Sequence, residues 1–137
     1  MGMQAGDELP DSVKTAQTLF DVVQFVKEEE GTTLPEMAAE LDYAKSTIHR
    51  HLRTLEHLGY VVERDDGYRV GLRFLDIGVT ARNSYTGYKL VRDKVEEIAN
   101  ETGERAQFFV EEHGEAVYLA RSVGTHAVHT DPGIGSR

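Results

Sequence analysis

Lys45, Ser46, Thr47, His49, Arg50 and Arg53 crowd into a single short stretch of this chain. An arginine guanidinium reaches O6 and N7 of a guanine with two parallel hydrogen bonds, and a hydroxyl or an ammonium near a helix N-terminus holds a phosphate against the positive end of the helix dipole. On a helix, at about 100° per residue, His49, Arg50, Arg53 and His57 fall within roughly 60° of Ser46. Ile48, Leu52 and Leu55 fall on the opposite side. One face suits phosphates and base edges, and the other suits a core. His51 lies about 140° from Ser46, on the packed side, and is expected at the edge of the core. Arg69 is the remaining candidate: on a strand nearby it reaches a phosphate or the minor groove, or it is simply a surface arginine.

The elements that must position these side chains are legible in turn and period. Val13, Ala16, Phe20, Val23 and Val26 recur every three or four residues and predict an amphipathic helix over 12–29, with Ser12 as its N-cap and Gly31 beyond its end. Glu28-Glu29-Glu30 places anions near the negative end of that helix, where the dipole disfavours them. Thr32-Thr33-Leu34 is short and β-prone. Pro35 fits the first position of a second, short helix with Met37, Ala38 and Leu41 on its apolar face. Asp42-Tyr43-Ala44 is a turn, and Ser46 can cap a third helix that runs to Leu58 and stops at Gly59. The β-prone run 60–64, the turn signal Asp65-Asp66-Gly67 and Tyr68-Arg69-Val70 predict a hairpin. Helix, short helix, helix, hairpin is the order of a winged helix-turn-helix.

Beyond it, Leu72, Leu75, Ile77 and Val79 with Ala81 predict a helix over 72–85, and Leu90, Val91, Val95, Ile98 and Ala99 a further one over 88–102, ending at Gly103. Residues 106–110 and 116–120 flank His113-Gly114 as a second hairpin, with Phe108, Val110, Val117 and Leu119 alternating onto one face. A lone hairpin is marginal in water and has free edges, so either the preceding helix or a second copy of the chain is expected to cover it. The C-terminal 131–137 reads as loop. The expected organisation is a flexible arm (1–11), a winged helix-turn-helix domain (12–71), a linker helix (72–86) and a fragment of a second, α/β domain (87–137), an α+β chain as a whole.

Composition narrows the chemistry. The 137 residues carry a net charge of −9, from 15 basic and 24 acidic residues. By itself that argues against nucleic acid, yet the acid surplus lies mostly in 1–41, while 42–75 holds slightly more cations than anions. Only five of the basic residues are lysine, which fits a salt-adapted surface or simply a soluble acidic one. There is no cysteine, hence no disulfide, thiolate metal site or cysteine nucleophile. No apolar run approaches the roughly 18 residues of a membrane span, and no secretory signal precedes the first helix, so a soluble cytoplasmic protein is expected. His126, His129 and Asp131 form the one cluster with metal-ligand character, without helical context or a fourth ligand, and no metal is expected there. No phosphate loop, serine elbow or His-Glu-x-x-His pattern is present. The expectation is a chain that is not an enzyme, with no catalytic residue and no cofactor.

The stretches Val13-Lys14-Thr15-Ala16, Leu34-Pro35-Glu36-Met37-Ala38, Lys45-Ser46-Thr47-Ile48-His49-Arg50, Leu55-Glu56-His57-Leu58-Gly59-Tyr60-Val61 and Tyr68-Arg69-Val70-Gly71-Leu72-Arg73 resemble the IclR family of transcriptional regulators. Glu97-Ile98-Ala99-Asn100-Glu101-Thr102-Gly103-Glu104 and Val117-Tyr118-Leu119 look like the opening of that family's ligand-sensing domain. The resemblance implies a homodimer or homotetramer that binds double-stranded operator DNA through Lys45, Ser46, Thr47, His49, Arg50, Arg53 and Arg69, and that answers to a small-molecule effector. Two departures stand out. His51 occupies a position that is usually apolar in the family, and the chain stops at Arg137, short of the long α/β remainder in which the family's effector pocket largely lies. The competing expectation, favoured by the net charge, is a winged-helix assembly module that does not read DNA.

Overall fold

The computed structural model describes residues 12–127 and 133–137. The chain divides into two compact units after Phe74. In the first, α1 (Lys14–Glu28), α2 (Leu34–Glu40) and α3 (Lys45–His57) precede a two-stranded antiparallel wing, β1 (Val61–Arg64) and β2 (Gly67–Val70). Val22, Val26, Met37, Ile48, Leu52, Leu55, Val61 and Tyr68 form its core. The buried stripe of α1 is Leu19, Val22, Val23 and Val26, so Phe20, one residue and about 100° away, is 63% exposed, and Val13 is exposed as well. Both were expected on the packed face.

Local signals also moved at the helix starts. The N-cap of α1 is Val13, without a side-chain cap, and Ser12 instead accepts a hydrogen bond from Gln17. Pro35 is the second residue of α2, not the first. The start of α2 is held by Glu36, whose carboxylate accepts both the N–H and the hydroxyl of Thr33 at 2.6 and 2.8 Å. The Thr33 N–H lowers the Glu36 pKa below its ordinary value. Tyr43, in the turn between α2 and α3, donates to Asp21 at 2.6 Å and so ties that turn to α1.

The wing is extended by one bridge: Thr32, buried after α1, pairs with Tyr68, and the Tyr68 N–H reaches the Thr32 carbonyl at 2.7 Å. Gly67 makes this approach possible. Its φ is +124°, and a Cβ there would collide with the carbonyl oxygens of Gly31 and Thr32.

α4 (Arg73–Asn83) has no buried residue. In the second unit, α5 (Tyr88–Thr102) lies against a long antiparallel hairpin, β3 (Arg105–Glu112) and β4 (Glu115–Val123). Tyr88, Val95 and Ala120 are its core, with Val91, Ala106 and Phe108 packed around them. The packed stripe of α5 thus begins at Tyr88, and Leu90 and Ile98, expected inside, are exposed at 78% and 42%. His113 and Gly114 both take positive φ, +55° and +78°, the turn that matches the twist of a two-residue hairpin. Of the expected alternating set, Leu119 is buried and Phe108, Val110 and Val117 are half-buried, but a bulge interrupts the register. Phe108 faces Ala120 and Phe109 faces Tyr118, which leaves Leu119 without an opposite residue. The chain end is not a free loop: Gly135 N–H reaches Tyr118 O at 2.7 Å, Tyr118 N–H reaches Ser136 O at 3.3 Å, and Arg137 pairs with Glu112 and Glu115. Among the described residues no helix is long and apolar enough to cross a membrane.

Candidate nucleic-acid interface

α3 is built with two unlike faces. Ile48, Leu52 and Leu55 are buried in the core. Lys45, Ser46, His49, Arg50, Arg53 and His57 are exposed, while Thr47 and His51 are half-buried. The N-cap is Ala44, with no side-chain cap and no acid in the first turn, so Ser46, expected to cap the helix, is its second residue. No side chain caps the first amides of α3, beside Lys45 and Ser46, and an uncapped helix start can take a phosphate. Arg53 is 71% exposed and touches Glu56 only at 3.8 Å. Such an exposed pair is worth little and yields to a stronger anion.

The C-terminus of α3 closes as a Schellman motif: Tyr60 N–H reaches Leu55 O at 2.8 Å and Gly59 N–H reaches Glu56 O at 3.0 Å, with Gly59 in the left-handed region at φ +79°. This stop turns the chain directly into the wing and sets where α3 ends relative to β1.

Arg69 stands apart from the α3 residues. Its guanidinium bonds Glu30, just past α1, and Asp66, in the wing turn, each at 2.5 Å. Hydrogen bonding from Arg69 lowers the Asp66 pKa, and the same contact raises that of Arg69. Its charge is met within the protein, so the geometry supports a structural arginine here rather than one free for phosphate. Arg64 is the exposed cation of the wing, at the end of β1 beside the turn. It is not among the residues expected from the sequence to contact DNA, although its place next to Asp65-Asp66-Gly67 marks it as a wing-tip cation. Of the expected metal cluster, His126 sits against Gly103 with its N–H on the Gly103 carbonyl, while His129 and Asp131 lie outside the described residues. Among the described residues no group of three or more side chains could hold a metal ion.

Residues 15–65 match the IclR helix-turn-helix domain. This stretch is an IclR-type helix-turn-helix domain. Over 123 residues it is 32% identical to a probable HTH-type transcriptional regulator ArcR of Halobacterium salinarum, a match covering 89% of this chain and 47% of that protein. The structure of the IclR protein of Thermotoga maritima superposes with a TM-score of 0.74 at 20% identity, over 90% of this chain and 51% of that one. An IclR homolog of Microbacterium hydrocarbonoxydans, solved in complex with 4-hydroxybenzoate, gives 0.65 at 21% identity, over 88% and 52%. The chain thus spans about half the length of the relatives it matches.

Proposed function

We propose that this chain reads DNA as part of a transcriptional regulator. In this reading α3 enters the major groove and presents His49, Arg50 and Arg53 to base edges, while Lys45, Ser46 and Thr47 hold phosphate at its N-terminus. The wing lies over the adjacent backbone through Arg64. The observation that carries the proposal is the exposed cationic face of α3 on an IclR-type helix-turn-helix whose opposite face fills the core. Two copies would pair through α4, none of whose residues is fully buried among the described residues, and a paired molecule would suit a two-fold symmetric operator. A small-molecule effector would act through the second unit, and the protein would work in the cytoplasm.

Fluorescence anisotropy of the chain with labelled duplex DNA over a range of salt tests this reading. Lys45, Arg50, Arg53 and Arg64 are the exposed cations of α3 and the wing, so log affinity against log salt should have a shallow slope, corresponding to about four phosphates or fewer per subunit. Absence of binding at low salt would favour the assembly-module reading.

A further inference from the structure

The last carbonyls of a helix have no partner inside it and carry the negative end of its dipole. In α3 the Schellman motif satisfies Leu55 O and Glu56 O but not Leu58 O, at the C-cap. That oxygen accepts a hydrogen bond from Arg73 Nη1 at 2.9 Å. Arg73 is the first residue of α4. Its guanidinium also lies over the Tyr60 ring, 5.3 Å from the centroid, and Tyr60 meets Phe74, the next residue of α4, in a tilted ring contact with centroids 4.8 Å apart. The backbones are equally close. Gly71 N–H reaches Tyr60 O at 2.7 Å, and a Cβ on Gly71 would collide with the Gly59 carbonyl oxygen. The end of α3 and the start of α4 are thus joined by a charged hydrogen bond, a cation–π contact and a backbone crossing, all within the first unit.

We infer that Arg73 is a positioning residue for DNA reading: it clamps the C-terminal end of α3 to the start of α4, so that a shift of α4 is felt at the helix carrying Arg50 and Arg53. A guanidinium suits the role because one planar group bonds a carbonyl and stacks on a ring at once. The inference rests on α3 as the DNA-reading element, but the clamp itself can be tested without DNA.

The test compares the intact chain with Arg73→Ala and Arg73→Lys. Amide hydrogen exchange of free protein is measured first. In Arg73→Ala the Leu58, Gly59 and Tyr60 amides should exchange about tenfold faster, while those of Val22 and Val26 in α1 hold. Arg73→Lys, which keeps a donor for Leu58 O, should recover most of the protection. Binding to a pool of random-sequence duplexes is then measured against salt. Arg73→Ala should bind about three- to tenfold more weakly with an unchanged salt slope, because a positioning residue releases no counterion of its own. A slope reduced by about one, with exchange unaltered, would make Arg73 a phosphate contact and overturn the inference. Unchanged exchange and unchanged affinity would overturn it too. If the unaltered chain binds no duplex, the DNA reading fails, and the exchange data still decide whether the clamp exists.

Discussion

Arg50 stands exposed on α3 and bonds no carboxylate among the described residues, whereas Arg69 is flanked by Glu30 and Asp66. A guanidinium already paired with two carboxylates gains little from a phosphate, since it must first give up those partners. Replacing Arg50 or Arg53 by Ala is therefore expected to weaken operator binding by about 1–3 kcal/mol where a bidentate base contact is lost, and to relax preference at that base pair. Competition binding with base-substituted duplexes measures both effects. The Arg69 clamp has its own pH signature. The folded-state pKa of Asp66 lies below its ordinary value, with the Arg69 hydrogen bond as the largest cause. Its contribution is thus present above the unfolded-state pKa of about 4 and is lost as pH falls through the lower folded value. Glu36, lowered by the Thr33 N–H, acts with the same sign at the start of α2. Thermal unfolding followed from pH 7 down to pH 2 should show a loss of stability in the acid range, smaller in Asp66→Asn. An unaltered profile in that variant would show that the clamp adds nothing.

Among the elements, the wing depends most on a single backbone. β1 and β2 are four residues each, and so short a hairpin is not stable alone. It is held by the burial of Val61 and Tyr68 in the first core and by the Thr32 bridge. Gly67 serves both the turn and the bridge. Gly67→Ala combines an unfavourable positive φ with a collision against two carbonyl oxygens. The expected cost is about 2 kcal/mol or more, read from the urea midpoint of the chain, together with loss of amide protection at Tyr68. A variant as stable as the parent would mean that the wing lies away from α1 without penalty.

On the scale of the whole molecule, the acid surplus and the exposed apolar residues matter together. A net charge of −9 keeps copies apart at long range, so association needs a local apolar surface. Leu72, Leu75 and Ile77 are 83%, 61% and 50% exposed, and no residue of α4 is fully buried among the described residues. Light scattering at micromolar concentration should find a dimer, and the double substitution Leu75→Glu with Ile77→Glu should give a monomer whose circular dichroism is otherwise retained. A parent chain that is monomeric at that concentration would remove α4 as the pairing element.

Much of this protein is written in local pattern. The 100° advance along residues 45–57 separates Arg50 and Arg53 from Ile48, Leu52 and Leu55 before any fold is known, and Asp65-Asp66-Gly67 and His113-Gly114 mark two turns that the backbone indeed makes. These features follow from helix period and turn stereochemistry, which act over a few residues. The fate of particular side chains does not. Arg69 is taken up by Glu30, 39 residues away, and Arg73 by a carbonyl 15 residues back. Both are pairings that only the folded chain brings within reach. Phe20, Leu90 and Ile98 fit an apolar periodicity yet lie outside, because each helix carries more apolar residues than one neighbour can cover and packing selects the stripe. The bulge at Leu119 interrupts the register of the second hairpin, since pairing with a partner strand, not alternation along one, decides where an extra residue is inserted.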